Sequence, residues 1–190
     1  MMTEQIQGYS ENGELGESLP IDQIGKGLLH AAAHVWIWRR TEGSDYYQIL
    51  LQKRAARSRT WAGYWDVSTA GHNDAGESPI TTAVREASEE LGIDLEPAKL
   101  SLVGVYRWRQ QAVTQPGAPI IIENEFQWLY TYETEDLSNL RYQEKEVDDS
   151  LWVTSDQFDQ LICSSSELGV IIDHDADYYS ILRRHILEQL

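Results

Sequence analysis

Runs of β-branched and aromatic residues mark the strands of this chain. Such runs, bounded by Gly, Pro, Asn or Asp, are typical of strands that are at least half buried. Residues 40–45, which contain Glu-Gly-Ser-Asp, are expected to form a hairpin turn between the first two strands. The predicted strands cover Ala31–Arg39, Tyr46–Lys53, Trp65–Ala70, Lys99–Arg107, Glu125–Glu133 and Asp149–Val153.

Apolar residues at helical spacing predict three helices. The first covers residues 78–92, with Ser78 as N-cap, Pro79 at the first helical position and Gly92 as the stop signal. A second helix is expected at residues 154–161, and an amphipathic helix at residues 178–190. Strands interspersed with these helices predict the α/β (α+β) class, with a sheet between helices.

The first 29 residues precede the first convincing strand. Asn12-Gly13 is a type I′ turn signal and predicts a short hairpin, and Ser18–Asp22 suggests a short helix. A length of 190 residues suits one domain with a substantial core. We therefore expect an N-terminal extension, residues 1–29, packed on a domain that covers residues 30–190.

The helix at 78–92 carries an unusual acidic face. Glu86, Glu89 and Glu90 are helical neighbours at i, i+3 and i+4, so their carboxylates repel one another. A cation among them would remove that repulsion. Because hard divalent cations prefer oxygen ligands, Mg²⁺ or Mn²⁺ is the expected ion. The alternative is an ordinary solvated acidic helix face.

The segment that contains this helix resembles the Nudix box, G-x5-E-x7-R-E-U-x-E-E-x-G-U, where U is a bulky or aliphatic residue. Gly71, Glu77 and Arg85–Ile93 fill every fixed position, and Ala87 is the smallest acceptable U residue. The chain thus resembles the Nudix hydrolase superfamily. The resemblance implies an α/β/α sandwich with a mixed β-sheet.

The same resemblance implies cleavage of a diphosphate linkage in a nucleoside diphosphate derivative or a related diphosphate ester. Water would attack phosphorus with the help of Mg²⁺ or Mn²⁺, and a glutamate of the helix or of another loop would act as general base. The implied metal ligands are the Gly71 carbonyl, Glu86, Glu89, Glu90 and Glu125, and the catalytic candidates are Glu86, Glu90 and Glu125.

Three other positions of the box have implied structural roles. Arg85 is expected to orient a carboxylate, with Glu89 one turn further along the helix. Glu77 is expected to tie the loop down, and Gly92 ends the helix. Gly71 itself should permit a close backbone approach or an unusual φ.

A narrower resemblance links the chain to the branch of Nudix proteins that contains isopentenyl-diphosphate isomerase. It rests on Leu28–Ala32, on Gln52–Arg54 followed by Trp61–Trp65, on Gly71-His72, and on Glu123–Glu125. In that enzyme, histidines and glutamates at such positions bind a metal. The resemblance places His30, His72, Glu123 and Glu125 there, a set that suits Mn²⁺ or Zn²⁺.

Two departures argue against isomerase chemistry. Ala70 stands where the isomerase has its catalytic cysteine, and Gln23 lies near the place of a further histidine ligand. The chain also keeps the complete R-E-x-x-E-E of the hydrolases. Hydrolysis is therefore favoured, and an isomerase-like enzyme or a non-catalytic Nudix-fold binding module are the alternatives.

The phosphate-binding candidates lie in one basic cluster and its surroundings. Arg54, Arg57 and Arg59 follow Lys53 just before a Trp-rich loop. His72 adjoins the metal-loop glycine, and Trp61 could form a pocket wall. His34 has no evident partner in the sequence, so we expect it to pack. The predicted substrate-binding residues are Arg54, Arg57, Arg59, His72 and Trp61.

Overall charge narrows the expected partners. The formal net charge of −16 argues against nonspecific binding to nucleic acid or anionic membranes. We expect a small-molecule diphosphate substrate and include a homodimer among the expected assemblies. No signal-peptide pattern or membrane-length apolar run is visible, and Cys163 is the only cysteine, expected to be partly buried near a helix end. These features predict a cytoplasmic protein.

Overall fold

A curled, mixed sheet forms the middle layer of the fold. The computed structural model describes residues 4–41, 43, 46–135, 137, 140–163 and 167–190. Within these ranges the helices are α1 (Ile21–Ile24), α2 (Pro79–Leu91), α3 (Ser155–Cys163) and α4 (Ala176–Leu187), and a 3-10 turn covers Pro97–Lys99. The strands are β1 (Gln5–Tyr9), β2 (Leu15–Pro20), β3 (His30–Arg40), β4 (Tyr47–Arg54), β5 (Trp65–Asp66), β6 (Thr69–His72), β7 (Ser101–Gln111), β8 (Ile122–Glu133) and β9 (Val147–Thr154).

Strand β3 lies at the centre of the sheet and is buried from His30 to Trp38. Along one edge it pairs in parallel with β8. Along the other edge it pairs antiparallel with β6 in its first half and with β4 in its second half. Strand β7 extends the sheet beyond β8, and β9 extends it beyond β4. The near-continuous apolar run of β3 is what a strand covered on both faces requires.

Helices cover the two faces of β3. Successive side chains point to opposite faces of a strand. Val35 and Ile37 therefore pack in one core with the apolar stripe of α2, which includes Ala83, Ala87 and Leu91. Trp36 and Trp38 pack in a second core with residues of α3 and α4, among them Phe158, Tyr178 and Leu182. The predicted α/β/α arrangement around a mixed sheet is confirmed.

Helix α2 begins and ends where its sequence signals predict. The Ser78 hydroxyl accepts a hydrogen bond from the Thr81 N–H, and Pro79 occupies the first turn. At the other end Gly92 adopts φ 67°, in the left-handed region, and a Cβ there would also meet Arg141 at 2.9 Å. These caps fix the position of the acidic face along the helix axis.

Two predicted elements are divided or displaced in the structure, and others differ from their predictions only in their bounds. The strand predicted at Trp65–Ala70 is divided into β5 and β6, because Ser68 interrupts the ladder: its hydroxyl accepts from the Ile37 N–H at 2.8 Å and donates to the Leu50 carbonyl at 2.5 Å. The short helix suggested at Ser18–Asp22 instead occupies Ile21–Ile24, since the β1–β2 hairpin extends to Pro20.

The N-terminal hairpin is confirmed, with Gly13 at φ 80° between β1 and β2. It joins the main sheet where Gly8 pairs with His30. Much of the turn predicted at residues 40–45 lies outside the described residues, at 42, 44 and 45. The boundary between residues 1–29 and 30–190 stays a prediction.

The expectation for Cys163 is wrong. The residue ends α3 and is exposed, because only Phe158 and Leu161 of that helix are buried. Among the described residues, no helix combines the length and the apolar composition needed to cross a membrane.

Candidate active site

Strand β6 and helix α2 approach each other so closely that residue 71 has no room for a side chain. A Cβ added to Gly71 would lie 1.9 Å from Glu86 Oε1, far inside van der Waals contact. Gly71 is not among the described glycines with positive φ. Close approach, and not backbone conformation, therefore requires glycine here, and it brings the Glu86 carboxylate against the backbone of β6.

Glu90 lies one turn after Glu86 and is held by three hydrogen bonds. The Thr69 hydroxyl donates to Glu90 Oε2 at 2.6 Å, and the Ala70 N–H donates to the same oxygen at 3.1 Å. The Gln52 amide donates to Glu90 Oε1 at 3.3 Å. The carboxylate is thus fixed against β4 and β6.

Burial raises the pKa values of both helix carboxyls. It raises the pKa of Glu86 to about 8, with a further contribution from the charge of Glu90. It raises the pKa of Glu90 to about 7, against the opposing effect of the Thr69 and Gln52 hydrogen bonds. Each carboxyl therefore retains a proton for much of the time near neutral pH unless a further positive charge binds beside it. A divalent cation would supply that charge and displace the protons.

Arg85 connects the acidic loop to the helix. Its guanidinium donates to Glu77 Oε2 at 3.0 Å and to the His72 carbonyl at 3.1 Å. It also donates to Glu86 Oε1 at 2.7 Å and to Glu89 Oε2 at 3.2 Å. Burial alone would raise the pKa of Glu77, but the hydrogen bonds led by that from Arg85 hold it below its usual value. The ion pairs orient the carboxylates around Gly71; we call Gly71, Glu86, Glu89 and Glu90 the helix site.

A groove of about 600 Å³ runs along the helix site. Both acidic and basic side chains line the groove. The basic ones supply the local positive charge that an anionic ligand needs on a protein of net charge −16. The acidic residues that line it include Glu86, Glu89, Glu90, Glu123 and Glu146, and the basic ones include Arg54, Arg57, Arg59 and Lys145.

Two histidines and two glutamates meet beside the groove, at the neighbouring ends of β3, β6 and β8. The ligand atoms of His30, His72, Glu123 and Glu125 all lie within 4.8 Å of one another. His30 Nε2 is 3.5 Å and His72 Nε2 is 3.6 Å from Glu125 Oε1. The register explains the cluster, because Glu125 lies directly opposite His30 in the parallel ladder. We call these four residues the strand site.

His30 is oriented as a metal ligand would be. Its Nδ1 lies 2.8 Å from the Leu28 carbonyl, which only accepts, so Nδ1 carries a proton and Nε2 is the nitrogen that would bind a metal once it is deprotonated. No hydrogen-bond partner for this buried Nε2 exists among the described residues. Burial would raise the pKa of Glu125, but contacts with His30 and His72 hold it well below its usual value. Nitrogen and oxygen donors of this kind fit Mn²⁺ or Zn²⁺.

The residues predicted from the sequence fall into both clusters. Glu125 was expected both in the ligand set of Glu86, Glu89 and Glu90 and, by the narrower resemblance, beside His30, His72 and Glu123; it lies in the strand site. His72 connects the two sites, since its carbonyl accepts from Arg85 and its ring faces Glu125.

The other predicted residues lie around the cavities. Arg54 donates to the Thr60 carbonyl at 3.2 Å and lies 3.4 Å from Asp66 Oδ2. Arg57 and Arg59 line the groove. Trp61 lines a second, smaller cavity that adjoins the groove. We call this cavity, which His34, Trp61 and His174 help to line, the chamber.

Several residues that line these cavities were not predicted from the sequence as site residues. His34 was expected to pack, but it lines the chamber and is 2.9 Å from the Tyr178 hydroxyl. Asp66 carried a usable signal, an acidic residue inside the apolar segment Trp65–Val67. His174, Lys145 and Glu146 come from distant segments whose local sequence gives no sign of the contact.

Sequence comparison identifies relatives of known family. The model of the NUDIX domain matches residues 28–173. Nudix hydrolase 3 of Arabidopsis thaliana is 36% identical over 132 residues, which are 68% of this chain and 16% of that protein. An uncharacterized Nudix hydrolase of Listeria monocytogenes is 30% identical over 80% of both chains. Isopentenyl-diphosphate Delta-isomerase of Escherichia coli is 32% identical over 66% of this chain and 62% of the enzyme.

Solved structures share the same fold. DR0079 from Deinococcus radiodurans superposes with a TM-score of 0.67 at 15% identity, and covers 95% of this chain and 98% of its own. The NUDIX domain of Shewanella oneidensis NrtR, solved with ADP ribose, gives a TM-score of 0.58 at 15% identity and covers 84% of this chain and 88% of its own. Because the NUDIX model spans most of the chain and the fold agrees, the protein belongs to the Nudix family.

Proposed function

We propose that this protein hydrolyses a diphosphate linkage in a nucleoside diphosphate derivative or a related diphosphate ester. The observation that carries the proposal is the contact of Glu86 with Gly71, beside the buried Glu90. Two carboxyls with pKa values raised to about 8 and about 7 are arranged to exchange protons for a cation. Nudix hydrolases among the relatives support the same reaction class.

Mg²⁺ or Mn²⁺ would be held by Glu86, Glu89, Glu90 and the Gly71 carbonyl. This set contains oxygen donors alone, as hard divalent cations prefer. When bound, such an ion neutralises phosphoryl oxygens and makes water a better nucleophile. The hydrogen bonds from Thr69, Ala70 and Gln52 would hold Glu90 ready for it.

The residues of the chain have separate proposed tasks in the reaction. Glu90 has its oxygens committed to three hydrogen bonds, so we assign it to cation binding. Glu86 has fewer restraints, one hydrogen bond from Arg85, so a carboxylate oxygen of Glu86 would be the general base that takes a proton from water. Glu146 lines the same groove and is an alternative base.

The basic residues of the groove would bind the diphosphate. Arg54 is positioned by the Thr60 carbonyl and Asp66, and Arg57, Arg59 and Lys145 line the groove beside it. One guanidinium group can donate two parallel hydrogen bonds to the oxygens of a phosphate. ADP ribose, bound by the NrtR domain, joins two hydroxylated groups through a diphosphate and is a suitable first substrate to test.

An isomerase-like activity on an isoprenoid diphosphate is the second candidate. The strand site and the 32% identity to an isopentenyl-diphosphate isomerase favour it. Ala70 counts against it, since a methyl group exchanges no proton, and this position adjoins Gly71 and lines both cavities. Glu125 would be its most suitable acid or base.

A panel assay separates these candidates. ADP ribose, other nucleoside diphosphate derivatives and isopentenyl diphosphate are incubated with Mg²⁺ or Mn²⁺, and products are scored for phosphoryl cleavage and for double-bond migration. We expect cleavage that Glu90→Gln abolishes. Double-bond migration without cleavage would favour the isomerase, and binding without either reaction would favour a binding module.

A further inference from the structure

A chamber of about 110 Å³ adjoins the groove on the side of the strand site. The chamber and the groove share lining residues, including Arg54, Ala70, Gly71 and Glu123. A diphosphate in the groove would therefore have one of its substituents at the opening of the chamber. The residues specific to the chamber include His34, Trp61, Asp66, Trp108, Gln127 and His174.

The tautomer of His34 follows from its hydrogen bonds. The Trp36 indole N–H can only donate, and it donates to the Tyr178 hydroxyl oxygen at 2.9 Å. Among the described residues His34 Nδ1, 2.9 Å away, is the one acceptor within reach of the Tyr178 hydroxyl proton, and a buried hydroxyl proton needs an acceptor, so Nδ1 accepts. Burial also lowers the pKa of His34 to about 4, so the ring is neutral. His34 therefore carries its proton on Nε2 and offers the chamber a fixed donor.

Gln127 offers the complementary acceptor. Its Nε2 donates to Glu125 Oε2 at 2.8 Å, and a carboxylate can only accept, so the orientation of the amide is determined. Gln127 is fully buried, and its Oε1 has no partner in the described part of the chain. A buried carbonyl oxygen of this kind needs a donor from water or from a ligand.

His174 adds two further polar atoms. Its ring is stacked on Tyr178 at a centroid distance of 4.6 Å and lies 4.9 Å from Trp108. The residue is buried, yet neither ring nitrogen has a hydrogen-bond partner among the residues that the structure describes. Its closest charged neighbour is Asp66, whose Oδ1 lies 3.6 Å from Nε2. The two ring nitrogens are therefore available to a polar ligand in the chamber.

Backbone strain occurs at one residue that lines the chamber and at one that adjoins its lining. The described non-glycine residues with positive φ are Trp61, at 47°, and Asp175, at 75°. Trp61 lines the chamber against Trp108, at a ring distance of 5.6 Å. Asp175 follows His174 and caps α4 by accepting from the Asp177 and Tyr178 N–H groups. Such conformations persist where the surroundings impose them, and they cluster at ligand sites.

We propose that the chamber is a subsite for a small hydroxylated group, such as the sugar or polyol end of a diphosphate ester, and that it selects against an isoprenyl chain. The geometry provides a donor at His34, an acceptor at Gln127 and the unpartnered ring nitrogens of His174, and hydroxyl groups can both donate to and accept from such atoms. A hydrocarbon would displace water and leave these buried groups unpaired. This inference rests on the proposed diphosphate function, because the groove would deliver the substituent to the chamber.

The test compares two five-carbon ligands in the intact protein with Mg²⁺. Methylene-bisphosphonate analogues of a pentitol diphosphate and of isopentenyl diphosphate resist hydrolysis, so calorimetry measures their binding without turnover. The wild type should bind the pentitol analogue about tenfold more tightly or better, the scale of one satisfied buried hydrogen bond. Equal binding, or tighter binding of the isopentenyl analogue, would overturn the proposal.

Matched variants locate the selectivity. His174→Phe keeps a flat ring between Tyr178 and Trp108 but removes both nitrogens, so the preference for the pentitol analogue should fall about tenfold. His174→Gln restores a donor and an acceptor and should recover part of it. His185→Phe is the control: it replaces a histidine of α4 that does not line the chamber, and it should leave the preference for the pentitol analogue unaltered. An unchanged preference in His174→Phe would contradict the subsite.

Hydrolysis of the natural esters is scored separately. If the wild type prefers the pentitol analogue but cleaves no diphosphate ester, the hydrolase proposal fails and the subsite stands. If it cleaves diphosphate esters but binds the isopentenyl analogue more tightly, the subsite fails alone.

Discussion

The helix site and the strand site differ in how the chain assembles them. The helix site comes from one short continuous segment, with Gly71 on β6 and its glutamates on the adjoining α2. The strand site takes His30, His72 and the pair Glu123 and Glu125 from three separate strands. The first depends on helical spacing and one close contact, and the second depends on the register of the sheet. Local spacing in the sequence predicts a site of the first kind, whereas the second was indicated only by the resemblance to the isomerase branch, and its geometry depends on the fold.

The two sites also differ in donor chemistry. The helix site offers oxygen alone and has carboxyls with raised pKa values, so we expect it to prefer Mg²⁺. The strand site adds imidazole nitrogen, and the contacts of Glu125 with His30 and His72 hold the pKa of that carboxyl low. We expect this site to prefer Mn²⁺ or Zn²⁺. We assign hydrolysis to the helix site.

The largest expected effect is that of Glu90→Gln. The amide keeps the shape of the side chain but loses the charge that would bind the cation, so kcat should fall about 10²-fold or more. Steady-state hydrolysis of the best substrate in the panel measures this. Glu96→Gln, at an exposed residue paired with Lys99, is the control and should leave kcat unchanged. Activity near the wild-type level in Glu90→Gln would remove the helix site from the mechanism.

Gly71→Ala tests the contact between β6 and α2. The added methyl group would overlap Glu86, so the helix must shift, at a cost of about 1–3 kcal/mol in unfolding free energy. Hydrolysis should fall at least about tenfold as the carboxylate is displaced. Gly104→Ala is the matched control, since Gly104 lies in β7 with no atom within 4 Å of an added Cβ. Equal behaviour of the two variants in urea unfolding and in activity would contradict the close-contact role.

Arg54→Ala tests the proposed anion-binding wall. If Arg54 binds the diphosphate equally in the ground and transition states, KM should rise about tenfold with little change in kcat. Initial rates over a range of substrate concentrations separate the two constants. Arg184→Ala, on α4, is the control and should leave both constants as they are. A fall in kcat without a rise in KM would assign Arg54 to the transition state.

The smallest expected effect is a pH dependence of stabilisation by Mg²⁺. The pKa values of Glu86 and Glu90, about 8 and about 7, lie above the ordinary 4.5. A raised carboxyl pKa stabilises the fold below the ordinary value, and that contribution is lost as pH rises through the folded pKa. Mg²⁺ should compensate the loss, so it should raise Tm by a few °C more at pH 8.5 than at pH 6.

Thermal melts at the two pH values, with and without Mg²⁺, measure this difference. Glu90→Gln removes one of the two titrating carboxyls and should reduce the difference in Mg²⁺ stabilisation between the two pH values. A stabilisation by Mg²⁺ that is equal at both pH values would show that these carboxyls are not the cation ligands.

Local signals made the layers and the helix site predictable. Ser78, Pro79 and Gly92 placed α2, because capping depends on neighbouring residues alone. The division of β5 from β6 was not predictable, since Ser68 bonds to Ile37 and Leu50, which are distant in sequence. The exposure of Cys163 likewise depends on which side of α3 meets the core.

The chamber shows the limit of sequence reasoning most clearly. His34 was expected to pack, because nothing near it in sequence could bond to it. Its partner Tyr178 lies on the C-terminal helix, and the proton on His34 Nε2 follows only from a chain of hydrogen bonds that also includes Trp36. His174 lies between two aromatic rings from different elements. Such contacts are set by the packing of α4 on the sheet.

The most direct test of the account compares Mg²⁺ binding with hydrolysis when each site is removed in turn. Calorimetry and steady-state rates would be measured for the wild type, for Glu86→Gln with Glu90→Gln, and for His30→Gln with Glu123→Gln. We predict that the helix-site variant loses Mg²⁺ binding and hydrolysis together, while the strand-site variant keeps both within about tenfold. Hydrolysis that survives loss of the helix site but not of the strand site would contradict the account.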